Sequence, residues 1–505
     1  MRPGEFPDDI RPHIVPRPSG DLTYRCLRCE EEFGIASLLY TCPTCGNVLM
    51  IEDRRWDRLK EFSGAFWRRL FDSRRMLNIP ALKGVFLFHE LIAPVLPLED
   101  ILYLGEGHTP VVRANVSLRR RVGVDFSFKN DGQNPSASFK DRGMACALSY
   151  VNYLIRTQGL AEVLSICAST GDTSAAAALY SSYLSNSVKS AVLLPHGKVT
   201  PQQLSQPLGS GARVFEVPGV FDDCMKVVEY LAERYQVALL NSKNAWRILG
   251  QESYSFEVAQ NFDYQMKGKA VFVPIGNAGN ITAVLSGFLK LRDLGIIENL
   301  PKIVGVQSEH ADPVYRYYQE GDPAKRVFRP VTVRPSVAQA AMIGNPVSMP
   351  RVIRLVETYE QIADAPSVFV VQVSEQEIMD CQLTANRNGH IACTQGGECL
   401  AGLRRALAAG VVNKDEVAVL DATAHALKFV EFQERYFAGG LDSAYKVVPK
   451  AELKNTPTLV RAPGLKRFPA PGQPLPPDDF QTFVEATAKE IARELGLRKR
   501  KAASV

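Results

Sequence analysis

The chain's most reactive-looking residue is Lys140, at the centre of NPSASFKDRG, residues 134–143, directly after Phe139. Asn-Pro-Ser reads as a turn and RGMACALSYVNYL as a helix, which sets the lysine at a helix mouth against an aromatic ring. Loss of water and the positive end of a helix both disfavour the ammonium form and favour a nucleophilic amine, the state a Schiff-base lysine needs. The decapeptide alone also fits an ordinary lysine in a capped helix start.

Other loops offer complementary groups. Gly276-Asn277-Ala278-Gly279-Asn280 follows an apolar strand and opens a helix. Its glycines let backbone N–H groups close on a phosphate, although a tight strand–helix turn explains the same residues. Ser169, Thr170, Asp172 and Thr173 also join a strand to a helix, and their hydroxyls and N–H groups suit a carboxylate or plain N-capping. Asn241, Ser242 and Arg247 gather in a third strand-to-helix segment fit for a second anion; the plainer alternative is an ion pair between Arg247 and Glu252. Thr423 and His425 close the last strand, where ligands bind in open α/β sheets.

A separate chemistry stands near the N-terminus. Cys26-x2-Cys29 and Cys42-x2-Cys45 are divided by twelve residues, the pattern of a zinc ribbon with a closed four-thiolate site. A redox dithiol or two disulfides are the competing uses of such cysteines. Ten cysteines in 505 residues, four paired in this way, point to a reducing compartment and so to the cytoplasm.

The elements that must position these groups alternate. VDFSFKN, AEVLSICA, SAVLLP, ARVFEV, VALLNS, KAVFVP, KIVGVQS, SVFVVQVS and EVAVLDAT are short apolar strands, most of them separated by helices. The pattern predicts two open, mostly parallel α/β sheets with helices on both faces, plus the small N-terminal ribbon. Residues 1–52 form an arm and the ribbon. Residues 53–123 read as helical, with Trp56, Phe62, Trp67 and Leu70 on a packed face. Residues 124–445 form the catalytic region, and 446–505 a proline-rich extension ending in an amphipathic helix. A net charge of +5, with Arg119 to Arg121 and the RKRK run at 498–501 as its only dense clusters, excludes a nucleic-acid surface. No apolar run reaches membrane-spanning length, and the N-terminus shows neither signal nor transit peptide.

Taken together, SFKDRGM, ASTGDTSAA, QLSQPLGSGARVFEV, FDDCMK, LNSKNAWRILGQES, PIGNAGN, IGNPVS and TAHALKF resemble, in order, the motifs of the threonine synthases. These are pyridoxal 5'-phosphate enzymes of the tryptophan-synthase-β-like fold, and the plant-type branch is the most similar. The resemblance implies that Lys140 carries the cofactor and that Gly276, Asn277, Ala278, Gly279 and Asn280 hold its phosphate. Thr423 would face the ring nitrogen and Asp172 would lie near the ring hydroxyl. Ser169, Thr170 and Thr173 would receive the substrate carboxylate, and Asn241, Ser242 and Arg247 its phosphate. It implies O-phospho-L-homoserine as substrate, one structural Zn(II) on Cys26, Cys29, Cys42 and Cys45, and a homodimer. Ala426 departs from the family's glycine after the histidine. Another synthase or deaminase of the same fold, such as a cysteate synthase or threonine deaminase, and a retired homologue acting through its ribbon are the rival readings.

Overall fold

The computed structural model describes residues 1–160, 163–169, 171–184, 187–196, 201–219, 221–464, 468, 470–474 and 477–499. The chain forms two compact units, Met1–Pro449 and Lys450–Val505. Within the second, a helix spans Pro477–Glu494. Among the described residues no helix is long and apolar enough to cross a membrane.

The first unit begins with a small antiparallel sheet of β1 (Leu22–Cys26), β2 (Glu32–Gly34) and β3 (Leu49–Asp53), with β1 central. Ten further strands follow: β4 (Val111–Arg113), β5 (Asp125–Lys129), β6 (Val163–Ala168), β7 (Val188–Pro195), β8 (Arg213–Val217), β9 (Val237–Leu239), β10 (Lys269–Pro274), β11 (Lys302–Ser308), β12 (Val368–Val373) and β13 (Val417–Asp421). The large sheet has the order β12-β11-β10-β13-β5-β4 and the small one β8-β7-β6-β9. All pairings are parallel except β4 with β5. Helices on both faces explain why a central strand such as β10 is a continuous apolar run, with Ala270, Val271, Phe272 and Val273 all buried. Because β4 pairs Val111 with Lys129, the large sheet begins before residue 124.

Residues 53–123 contain one longer helix, Gly64–Arg74, and otherwise mostly short 3-10 turns. The aromatic spacing marks a packed face, but the packing is of turns around a buried cation. The Arg74 guanidinium bonds the carbonyls of His13, Ile14 and Leu87 and pairs with Glu90. Each bond ties a turn to the helix, so buried backbone groups are satisfied without long regular structure.

Candidate active site

Parallel strands send their carboxyl ends one way, so the loops that follow them meet. The ends of β6, β9, β10 and β13 deliver residues 169 and 171–174, 241–247, 276–280 and 423–425, and the chain after β5 delivers the lysine.

Lys140 is the first residue of the helix Lys140–Gln158, as its sequence predicts. Three short links fix its approach to β13. Phe139 N–H donates to Thr423 O at 2.8 Å, His425 N–H donates to Ala137 O at 3.0 Å, and Ser138 bridges Ala424. Thr423 is thereby held beside the lysine; its hydroxyl is buried, 3.8 Å from Cys393 Sγ. Lys140 Nζ lies 4.2 Å from the Phe139 ring centroid. Burial pushes its ammonium down to about 7, and the positive charge of Arg247 pushes the same way, against Asp172 and Asp421. About half of such a group is a neutral amine at neutral pH.

The loop 276–280 precedes the helix Gly279–Asp293. Ala278 takes the left-handed conformation at φ +62°. None of the N–H groups of Gly276, Asn277, Ala278, Gly279 and Asn280 finds a backbone acceptor among the described residues. A Cβ on Gly276 would come 3.0 Å from Ala341 Cα, so the loop passes close under residues 340–341. Asn280 is tethered to Asp421 at 2.7 Å, joining the loop to the end of β13. Free N–H groups on a bend at a helix start form an anion cradle, and they fit the cofactor's phosphate.

Across the cleft, Asp172 is buried in the first turn of the helix Asp172–Tyr183 and pairs with Lys428 at 3.0 Å. Lys428 also donates to Ser136 O, 2.8 Å away in the lysine loop. Ser169 and Thr173 are half-buried beside it, and Thr170 lies outside the described residues.

Arg247 lies on the short helix Ala245–Gln251, which crosses the lysine helix at two glycines. A Cβ on Gly250 would meet Arg142 O at 2.1 Å, and one on Gly143 would meet Arg247 O at 2.9 Å. Only glycine permits this approach, and the approach brings Arg247 to the lysine. The guanidinium is buried, gives one bond to Leu240 O at 3.2 Å, and leaves Nε unpartnered. Burial pushes it down to about 10, so it remains charged at neutral pH. The alternative pair with Glu252 does not form, since Lys290 and Ser286 hold that carboxylate at 2.5 and 2.6 Å. Asn241 leaves a buried Nδ2 unpartnered as well, while its Oδ1 accepts from Lys243 N–H. A buried cation that pairs with no carboxylate among the described residues, near a free amide, suits an incoming anion.

Sequence reasoning missed the layer beneath the lysine. Arg142 makes bidentate contacts with Asp131 and with Glu257, and Lys129 bonds Glu257 at 2.5 Å. All four are buried, two cations against two anions. Arg142 lies inside the SFKDRGM motif, which was the available signal. Lys428 lies likewise inside TAHALKF.

In the N-terminal sheet, Cys26, Cys29, Cys42 and Cys45 place four sulfurs within 4.8 Å of one another. Cys26–Cys45 and Cys29–Cys42 are 3.4 and 3.5 Å apart, and none forms a disulfide. A tetrahedron with Zn–S of about 2.3 Å has edges of about 3.8 Å, which the cluster fits with little change.

The chain as a whole is similar to known proteins. Residues 102–422 match the family described as "Pyridoxal-phosphate dependent enzyme". A threonine synthase of Methanocaldococcus jannaschii is 35% identical over 80% of this chain and 92% of its own. "Threonine synthase 2, chloroplastic" of Arabidopsis thaliana is 33% identical over 86% of this chain and 80% of its own. The crystal structure of threonine synthase from Escherichia coli superposes with a TM-score of 0.60 at 22% identity, covering 83% of this chain and 92% of its own, which establishes the shared fold.

Proposed function

Because the chain belongs to the pyridoxal-phosphate-dependent enzyme family, we propose that it is a threonine synthase, a carbon–oxygen lyase converting O-phospho-L-homoserine and water to L-threonine and phosphate. The observation that carries the substrate is the second anion site. The N–H groups of 276–280 would serve the cofactor phosphate, which leaves the buried Arg247, without a carboxylate among the described residues, for another phosphate, on the substrate.

Bound pyridoxal phosphate supplies an electron sink for the substrate's α-carbon. Lys140, half neutral at neutral pH, is the group fit to bind the cofactor and then to move protons at the α- and β-carbons. The hydroxyls and N–H groups of 169–174 hold the substrate carboxylate. Asp172, kept in place by Lys428, would hold the cofactor's hydroxyl, and the buried Thr423 would meet its ring nitrogen as a neutral hydroxyl. Arg247, Asn241 and Ser242 hold the phosphate as its bond to Cγ breaks. Water then adds its hydroxyl at Cβ, and Cγ gains a proton to become the methyl group. The direct test is release of phosphate from O-phospho-L-homoserine by the purified, cofactor-loaded protein, with threonine identified as product.

The ribbon thiolates are proposed to hold one structural zinc. Elemental analysis is expected to give about one zinc per chain; metal-free protein from zinc-supplemented, reducing conditions would refute it. The likeness to the Arabidopsis enzyme supports placement in the plant-type branch. The division at 52, 123 and 445, the homodimer and the cytoplasmic location are carried by the same reading, and sedimentation tests the dimer.

A further inference from the structure

Arg351 is as buried as any residue in the protein and has no carboxylate partner among the described residues. It lies in the first turn of the helix Met349–Ile362, where a cation opposes the helix field. Its position is therefore explained by what it holds. A guanidinium has five N–H donors in a rigid fork, and here all five are used. Nε and Nη2 donate to Leu49 O on β3 at 3.1 and 2.7 Å. Nη1 donates to Ser242 O at 3.1 Å and to Ser348 Oγ at 3.0 Å, and Nη2 also donates to Lys243 O at 2.9 Å. Ser348 N–H in turn donates to Asn277 O of the 276–280 loop at 3.1 Å.

One side chain thus joins the ribbon's last strand to the back of the 241–247 loop. The ribbon grips the same region elsewhere. Trp246 Nε1 donates to Tyr24 Oη at 2.9 Å, and Tyr40 Oη donates to Val237 O on β9 at 3.0 Å. The Trp246 ring stacks on Tyr150 at 3.9 Å, and Tyr150 Oη donates to Ser37 O at 3.1 Å. Residues 241–244 carry an Asx turn, a 3.3 Å turn bond from Asn244 N–H to Asn241 O and an N-cap, and Asn244 Nδ2 and Lys243 Nζ tie them to Leu239 O and Glu229. Among the described residues, the carbonyls of Ser242 and Lys243 are held by Arg351 and by none of these bonds.

We infer that Arg351 is a positioning residue for the substrate-phosphate loop, and that the ribbon is the fixed body against which it holds Ser242 and Lys243. The inference rests on the functional reading above. It assigns the ribbon a part in substrate affinity, transmitted through backbone carbonyls and not through contact with substrate.

The test is Arg351→Met and Arg351→Lys in the holoenzyme, read as separate kcat and KM for O-phospho-L-homoserine, cofactor absorbance and zinc per chain. Misalignment of a phosphate site predicts a rise in KM of about tenfold or more in Arg351→Met, with kcat changed by less than about threefold. Cofactor and zinc contents stay at wild-type levels. Arg351→Lys keeps the charge and most of the bulk but loses the fork, and it shows the same split to a smaller degree. It also carries the test if the methionine variant does not fold. A wild-type KM in either folded variant, or a fall in kcat that tracks lost cofactor, overturns the inference. Calorimetric binding of inorganic phosphate to the wild-type and variant holoenzymes separates it from the functional reading. If the wild type binds phosphate but does not turn over O-phospho-L-homoserine, the functional reading falls, and weaker phosphate binding by the variant still upholds the role of Arg351. Equal phosphate binding overturns that role.

Discussion

Two regions border the cleft, and they treat buried charge in opposite ways. Beneath Lys140, Arg142 and Lys129 face Asp131 and Glu257, and the guanidinium is held by four bonds to those carboxylates. On the helix that crosses the lysine helix, Arg247 is buried near unpartnered Asn241 Nδ2, and among the described residues no carboxylate pairs with it. Desolvating a charge is costly in either place. Where the opposite charge is built into the chain, the cluster is scaffold and is complete without ligand. Where none is built in, the cation is placed to receive the charge of an incoming anion, as the proposed function requires.

The largest effect expected is at the group both regions serve. Lys140→Ala removes the amine proposed for cofactor attachment and proton movement, and activity is expected to fall at least about a thousandfold. The bound-cofactor absorbance should vanish with it. A variant that keeps both would detach the lysine from the comparison altogether.

Next comes the scaffold. Arg142→Met leaves Asp131 and Glu257 buried without their main partner, and breaking such a pair costs about 3–5 kcal/mol of stability. Denaturant unfolding measures it. A variant with unchanged midpoint would show that the cluster is not the scaffold its geometry describes.

Arg247→Met is the mirror experiment. Among the described residues no carboxylate depends on that charge for compensation, so unfolding stability should hold or rise. Losing a charge-assisted contact to substrate costs about 1.5–3 kcal/mol, which is a fall in kcat/KM on the order of ten- to a hundredfold. Cofactor content should not change, because the proposed function gives the cofactor phosphate to the 276–280 loop. Loss of stability together with wild-type kinetics would reverse the assignment of the two regions.

The sequence made one region far more legible than the other. Lys140, the 276–280 loop and Arg247 could be picked out because each is local: a short run of residue types between a strand and a helix, and parallel topology then gathers such loops by itself. The scaffold is long-range. Arg142 meets Glu257 across 115 positions, and Arg351 meets Leu49 across 302, and no spacing rule connects them. The pairing of Asp172 with Lys428 is hidden for the same reason. The helical reading of residues 53–123 overreached because aromatic spacing reports a buried face. It does not report that Arg74 satisfies the carbonyls of turns there.

The smallest expected effect tests how the two regions act together on the lysine. The reactive form of Lys140 is the neutral amine, and burial with Arg247 opposite lowers its pKa to about 7. A group of that pKa is half neutral at pH 7 and nearly all neutral at pH 9, so its rate of capturing pyridoxal phosphate in the cofactor-free enzyme should rise only about twofold over that range. An ordinary lysine near 10.4 would gain about a hundredfold over the same two units. The measurement is the stopped-flow rate of absorbance gain on mixing cofactor-free protein with pyridoxal phosphate from pH 6 to 10. A profile still climbing steeply above pH 9 would mean that the cleft does not depress the amine. In Arg247→Met the repelling charge is gone, so the midpoint should move upward and the pH 7 to 9 ratio should grow. Unchanged midpoints in the two proteins would leave burial alone as the cause and would confine Arg247 to the substrate.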